Sequence, residues 1–235
     1  MPSMSSLSGQ EVATQSRPAP LWVRLGFWIS IFIAVVVVVR RLVALAHPSS
    51  SGPPQLADLD ATFASHAALT LAHVIPALAF VLVIPFIFFR RFSGAAWPLR
   101  TIYPLGVVVG LTAYAMSTYS VGGWTERSAV LLFNTLFLLS LVRAFGYHNR
   151  GNHLMERRWL TRAVGILLGI ATTRPVMGVF FATRSLTHLA PSQFFGIAFW
   201  IGFSLNTVAV ELWLRSTKAG PTARKHATAA LSQGP

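Results

Sequence analysis

Two histidines and an arginine lie inside stretches of the chain that are otherwise apolar. His66 and His73 are seven residues apart, which places both on one face of a helix. Arg174 stands directly before Pro175. An ionised side chain at the centre of a bilayer costs about 2.5–3.5 kcal/mol on insertion scales, so such residues need partners or water. Guanidinium groups bind anions, and imidazole also ligates haem iron.

The expected depths of these residues are similar. At a rise of 1.5 Å per residue, His73 lies about 10 Å deeper than His66. Arg174 lies about nine residues below the outer end of its own helix. Asn134 and Asn206 fall at outer to middle depth on two further helices. We therefore predict a polar, ligand-binding pocket that opens outward and contains these five residues.

Each of these residues also has a structural interpretation. A histidine at the water interface, as expected for His66, needs no ligand. Asn134 and Asn206 would suit interhelical hydrogen bonds, which contribute around 0.6 kcal/mol each. Arg174 could bond backbone carbonyl groups that Pro175 leaves free, or extend toward the interface. The residue types alone do not decide between these interpretations and ligand binding.

An alternative use of the histidines is a b-type haem. Small helical bundles hold such a haem between two axial imidazoles, and His73 and His188 are the candidate pair. His188 is expected in the short loop before the sixth helix, so the two residues do not share one depth on facing helices. A second histidine pair nearer the inner face, which would carry electrons across the membrane, is also missing.

Several chemistries are excluded by composition and spacing. The chain has no cysteine, which removes disulfides, thiolate metal sites and thiol nucleophiles. No HExxH motif or paired carboxylates occur, and the serines lack a His-acid partnership. We therefore predict no catalytic residue and no metal site. Glu211 is the acid expected inside a helix, near the inner surface. It precedes Arg215 by four residues, a spacing that suits an ion pair on one helix.

The elements that position these residues are membrane helices. Of the 235 residues, 54% are hydrophobic and 11% charged, where a soluble domain has about a quarter charged. A span needs roughly 20 apolar residues. Gly165 and Gly169 form a GxxxG spacing that favours close helix packing. The prediction is an all-α polytopic membrane helix bundle over 21–215, between flexible cytoplasmic tails at 1–20 and 216–235. Its six helices lie near 22–46, 66–89, 101–122, 128–147, 160–183 and 193–214.

The distribution of basic residues predicts the orientation. Fourteen Lys and Arg residues fall on the side that holds both termini, and four fall on the other side. Cytoplasmic loops are enriched in Lys and Arg, so both termini are placed in the cytoplasm of a bacterial inner membrane. The net charge of +13 then indicates contact with anionic lipid head groups rather than nucleic acid.

One pair of arginines departs from this trend. Arg40 and Arg41 stand near the outer end of the first helix, and the long external loop from His47 to Asp60 follows them. Asp58 and Asp60 in that loop are candidate partners. The arginines would either extend toward lipid phosphates or attract an anionic ligand to the outer pocket.

Several short motifs resemble the DUF2306 family of bacterial membrane proteins. They cover roughly residues 35 to 215 and lie at Arg40-Arg41-Leu42, His66, Arg90-Arg91, Tyr103, Gly122-Gly123 and Arg157-Arg158-Trp159-Leu160-Thr161-Arg162. The family has no established activity, so the resemblance implies topology rather than function. Its pattern places His-Arg motifs at the start of the third and fifth helices. This chain lacks the first histidine and has Glu156 at the second, which leaves His148 and His153 as displaced substitutes.

Three functions remain open. The first is electron transfer through a b-type haem. The second is binding or transport of a small anionic or quinone-like ligand in the outer pocket, favoured by His73 near Pro76 and Arg174 beside Pro175. The two residue pairs occupy equivalent positions if the two three-helix halves form an inverted repeat. In such repeats, broken helices often build the binding site. The third is an accessory subunit without chemistry of its own.

Overall fold

The fold is helical throughout the part of the chain that can be described. The computed structural model describes residues 20–47, 57–88 and 97–217, and these ranges contain helices and no strand. The helices are α1 (Leu21–Ala46), α2 (Ala57–Ser65), α3 (Ala67–Phe88), α4 (Trp97–Met116), α5 (Gly123–Asn149), α6 (His153–Leu167), α7 (Gly169–Ala182), α8 (Arg184–Thr187) and α9 (Pro191–Ser216). A short 3-10 turn, Ser117–Tyr119, extends α4.

Six segments of these ranges are long and apolar enough to cross a membrane. They are Leu21–Ala46, Ala67–Phe88, Trp97–Tyr119, Gly123–Asn149, His153–Ala182 and Ser192–Ser216. The predicted all-α bundle of six spans is confirmed, and the protein is a multi-pass membrane protein. We call the end of the bundle where α1 begins and α9 ends the inner face, after the predicted orientation, and the opposite end the outer face.

Three spans begin earlier than the sequence predicts. Their starts at Trp97, Gly123 and His153 replace the predicted starts at 101, 128 and 160. The first turns of these helices carry charged side chains at the ends of the bundle, and an apolar window detects a helix only after such residues. The predicted external loop is also shorter than expected, because α2 already begins at Ala57.

The predicted tails lie almost wholly outside the described residues. Of the first, 1–20, only Pro20 is described, and it precedes α1. Of the second, 216–235, only Ser216 and Thr217 are described. Ser216 is the last residue of α9, so this helix is slightly longer than the predicted 193–214.

The fifth span is divided at Leu168, between α6 and α7. Asn206 on α9 donates from Nδ2 to the Gly165 carbonyl at 3.3 Å and accepts from the Thr172 hydroxyl at 2.7 Å. This one side chain therefore bridges the two helices across the break. The two prolines near His73 and Arg174 do not interrupt their helices, because α3 continues through Pro76 and α7 through Pro175.

Glycines let α9 approach the divided span closely. A Cβ at Gly169 would lie 2.6 Å from Phe203 Cδ1, and one at Gly202 would lie 2.7 Å from the Thr173 backbone nitrogen. Gly165 meets Val210 in the same way. The close packing predicted from the GxxxG spacing is confirmed.

Helix α1 lies at the edge of the bundle. The central helix α5 packs against α4, α6 and α9, while α1 packs against α2, α3 and α7. Much of α1 faces outward, and Trp22 and Phe32 are more than 60% exposed. In a bilayer this apolar surface contacts lipid. The outer end of α1 therefore borders both the bundle and the membrane.

Candidate functional site

The outer end of α1 carries two arginines that share one aspartate. Arg40 Nη2 lies 2.7 Å from Asp60 Oδ2, and Arg41 Nη1 lies 2.6 Å from Asp60 Oδ1. Arg40 Nη1 also donates to Asp60 Oδ1 at 3.3 Å. Asp60 is thus confirmed as a partner of this pair, whereas the side chain of Asp58 lies outside the described part. One carboxylate cannot neutralise two guanidinium groups.

Helix α2 holds Arg41 in place by a second contact. The Arg41 guanidinium carbon lies 3.9 Å from the centroid of the Phe63 ring, a cation–π geometry. Arg41 is only 8% exposed, which is unusual for arginine. Its head group is therefore fixed at the junction of α1 and α2 instead of extending freely toward lipid phosphates.

Arg174 reaches toward the same region from α7. Its Nη1 lies 3.9 Å from the sulfur of Met177, a weak acceptor. Its Nε is buried without a hydrogen-bond partner. The charges of Arg41 and Arg40 repel Arg174, and that of Glu126 attracts it. A buried, unpaired N–H costs about 1–3 kcal/mol, so this donor is an obvious place for a ligand acceptor.

A cavity of about 200 Å³ joins these groups between α1 and α7. Three of its lining residues are arginines, and the surface of the cavity is mostly apolar. The lining residues are Val37, Arg40, Arg41, Arg174, Met177, Gly178 and Phe181. We call this the basic cavity. It combines a concentrated positive charge with walls that suit a hydrocarbon chain.

Glu126 is the acid near this site that the sequence reasoning missed. Its Oε2 accepts from the Gly122 backbone N–H at 2.6 Å, and the residue is 8% exposed. The close approach of Gly122 to Gly196 keeps this corner compact, since a Cβ at Gly122 would lie 2.7 Å from the Gly196 nitrogen. Starting the fourth span at 128 excluded Glu126 from the bundle. The Gly122-Gly123 pair is a sequence signal that the helix begins before Glu126.

His73 contacts α4, whereas Arg174 lines the cavity between α1 and α7. Its Nδ1 lies 2.9 Å from the Thr112 hydroxyl on α4. That hydroxyl also donates to the Val108 carbonyl at 2.7 Å, so the contact joins the His73 ring to the backbone of α4. The described contacts do not join His73 to Arg174 in one pocket.

The other predicted pocket residues make structural contacts. The His66 ring lies 3.7 Å from the Tyr119 ring centroid at the junction of α2 and α3. Asn134 Nδ2 donates to the Gly110 carbonyl at 2.9 Å, which ties α5 to α4. Asn206 bridges α6 and α7 as described above. Of the five predicted residues, Arg174 lines the basic cavity.

His188, the second candidate haem ligand, lies between α8 and α9. It is exposed and has a φ of 52°, in the left-handed region. His73, by contrast, is hydrogen-bonded within the α3–α4 contact. The basic cavity is not lined by either histidine. The haem pair stays a prediction.

Fold and site together define a multi-pass helical membrane protein with a basic cavity near its outer face. Comparison with known proteins found no matching family model, no matching curated protein and no matching solved structure. Membership of the DUF2306 family stays a prediction.

Proposed function

We propose that the protein binds the anionic head group of an amphiphile in the basic cavity. The head group would be a phosphate or carboxylate, and its chain would lie along the apolar walls between α1 and α7. We also propose that the protein resides in a bacterial inner membrane with both termini in the cytoplasm. In that orientation the cavity faces away from the cytoplasm, and anionic lipid head groups surround the basic inner face.

The observation that carries this proposal is the excess of positive charge at a partly buried site. Three arginine residues line the cavity, while the neighbouring acids among the described residues are Asp60 and Glu126. Mutual repulsion of arginines in a medium of low dielectric is unfavourable unless an anion relieves it. Guanidinium is also the side chain best suited to phosphate and carboxylate, since it donates several hydrogen bonds in one plane.

The size of the cavity favours a head group over a whole molecule. Pockets that enclose drug-sized ligands measure about 300–1,000 Å³, and this one is about 200 Å³. A hydrocarbon chain attached to the head group must therefore extend out of the cavity. The exposed apolar surface of α1 provides the path into the bilayer.

Transport and an accessory role in a larger assembly would both use such a site, because both begin with binding of the anionic head group. The b-type haem remains the alternative from the sequence. Its test is an absorption spectrum of purified protein before and after dithionite reduction, with His73→Ala for comparison. A reduced α band that the variant lacks would establish it.

The test of anion binding is a titration of detergent-purified protein, with complexes counted by native mass spectrometry. Three ligands separate the sources of the anion: phosphatidylglycerol, its zwitterionic counterpart phosphatidylcholine, and inorganic phosphate. We expect the anionic lipid to bind best and inorganic phosphate to bind weakly. Arg174→Gln should weaken binding of the anionic lipid about tenfold or more, because a hydrogen bond to a charged group contributes about 1.5–3 kcal/mol.

The matched control is Arg184→Gln. Arg184 is an exposed arginine of α8 near the same face, so its removal lowers the net charge equally without changing the cavity. Arg174→Lys keeps the charge and should retain part of the affinity. Equal loss in the Arg174→Gln and Arg184→Gln variants would show general charge attraction and refute a specific site.

A further inference from the structure

A second polar cluster lies at the inner face, where α4, α5 and α6 meet. Glu156 on α6 accepts three hydrogen bonds. His148 Nδ1 lies 2.8 Å from Oε1, His153 Nδ1 lies 3.1 Å from Oε2, and the Tyr103 hydroxyl lies 2.9 Å from Oε1. Glu156 is 3% exposed. A buried carboxylate is thus surrounded by two imidazoles and a phenol.

The turn between α5 and α6 brings these residues together. Gly151 has a φ of 67°, which reverses the chain directly after α5. Asn152 then caps α6 by accepting from the Met155 N–H at 3.1 Å. His153 and Glu156 consequently share the first turn of α6, and His148 approaches them from the last turn of α5.

The basic residues next in sequence do not pair with Glu156. Arg157 donates to the Phe88 carbonyl at 3.4 Å, and Arg158 donates to the Leu214 carbonyl at 2.7 Å. Both guanidinium groups therefore serve other helices. Among the described contacts, this carboxylate is bonded by two imidazoles and the Tyr103 hydroxyl and by no arginine or lysine, which leaves the cluster able to accept a cation.

We propose that His148, His153 and Glu156 bind a divalent transition metal, with Zn²⁺ the best fit. One ligand atom from each residue lies within 4.8 Å of the others. Ligands sit about 2.0–2.2 Å from Zn²⁺, so two of them on one ion are at most about 4.4 Å apart. Small side-chain rotations close that difference, and His153, whose side chain is 77% exposed, is free to make them. The ion takes the place of the protons between the imidazoles and Glu156, which are released to solvent.

The ligand types select the class of metal. Two imidazoles and one carboxylate suit Zn²⁺ and other late first-row ions, whereas Mg²⁺ and Ca²⁺ prefer oxygen ligands alone. Tyr103 would orient the carboxylate as an outer partner. Because His148 and His153 face the surface, water can complete the coordination shell. The sequence predicted no metal site, because the chain has no cysteine and no HExxH motif.

The experiment measures Zn²⁺ and Co²⁺ binding to the full chain in detergent, purified with a tag that contains no histidine. Calorimetry gives the Zn²⁺ affinity and stoichiometry, and visible absorption reports Co²⁺ coordination. We expect one Zn²⁺ per chain, with Mg²⁺ in excess failing to compete. His153→Ala is the decisive variant, because an exposed side chain can be removed without unfolding the bundle, and it should weaken Zn²⁺ at least about 100-fold.

Two further variants complete the test. His47→Ala removes an exposed histidine at the outer end of α1 and should leave Zn²⁺ binding unchanged. Tyr103→Phe removes only the outer partner and should weaken Zn²⁺ about 10–100-fold. Absence of stoichiometric Zn²⁺, or equal binding by the His153→Ala and unmodified chains, would overturn the proposal and leave the cluster as a hydrogen-bonded contact between helices.

Discussion

Arg174 and Asn206 lie on adjacent helices of the bundle, yet their hydrogen bonding differs. Asn206 uses both ends of its amide, one toward Gly165 and one toward Thr172. Arg174 has a buried Nε without a partner. A polar residue whose groups are all bonded within the protein stabilises the fold, and one with a free donor is available to a ligand. This contrast favours a structural role for Asn206 and keeps Arg174 as the candidate for ligand binding.

Replacing Asn206 with leucine should therefore lower stability and spare ligand binding. The variant loses two interhelical hydrogen bonds, which average about 0.6 kcal/mol each, so the free energy of unfolding should fall by about 1 kcal/mol. Reversible unfolding in mixed micelles measures this change.

Asn134→Leu provides the comparison, because Asn134 donates to the Gly110 carbonyl from another helix pair. Its cost should be about half that of Asn206→Leu. Loss of anionic lipid binding in Asn206→Leu, with stability unchanged, would instead place Asn206 among the ligand-binding residues.

A single residue could be recognised from the sequence only when burying it in the membrane is clearly unfavourable. Arg174 stood out because a mid-span guanidinium is rare, and it does line the basic cavity. Glu126 and Glu156 were not predicted as site residues because both lie in first turns, ahead of the apolar runs. Two partners of Glu156, Tyr103 and His148, come from other helices, and spacing within one segment does not reveal such contacts.

Among the helices, α7 presents two different surfaces. Toward α9 it is tightly packed, as the contact of Thr173 with Gly202 shows. Toward α1 it is open at Gly178, where an added Cβ would meet no atom within 4 Å. Gly178 also lines the basic cavity. A larger side chain at this position can therefore fill the cavity without disturbing the fold.

Gly178→Leu should block anionic lipid binding while keeping every arginine in place. We expect the affinity to fall about tenfold or more, since the side chain occupies the space of the head group or its first methylenes. Leucine also has a higher helix propensity than glycine, by almost 1 kcal/mol, so stability should not decrease. Native mass spectrometry with phosphatidylglycerol measures the effect.

Gly146→Leu is the matched control. Gly146 lies on α5 near the inner face and also has open space around its Cα. The same substitution there should leave lipid binding unaltered. Unchanged affinity in Gly178→Leu would move the binding site away from the cavity between α1 and α7.

The existence of the helices was predictable, and their interruptions were not. Long apolar runs identified all six spans. The break at Leu168 depends on a side chain of α9 that bonds Gly165 and on glycines that admit Phe203. Asn206 lies 41 residues after Gly165, so spacing within the fifth span does not reveal the break.

At the scale of the whole molecule, the orientation in the membrane rests on the distribution of charge. The chain contains no cysteine, so single cysteines can report topology without background. Thr187→Cys marks the outer face, and Ser216→Cys marks the inner face; both positions are exposed. A membrane-impermeant maleimide should label Thr187→Cys in intact cells and Ser216→Cys only after permeabilisation.

The control is the unmodified chain, which should stay unlabelled under both conditions. Labelling of Ser216→Cys in intact cells, with Thr187→Cys protected, would invert the topology. The basic cavity would then face the cytoplasm and the His148 cluster the exterior.

Assembly of the protein adds a constraint on Arg40 and Arg41. In the predicted orientation, both charges must cross the hydrocarbon core once while the chain is being inserted, at about 2.5–3.5 kcal/mol each. The aspartate that compensates them follows about twenty residues later, so the ion pairs form only after α2 has been translocated as well. The two charges therefore oppose insertion of the otherwise strongly apolar first helix until later segments of the nascent chain are in place.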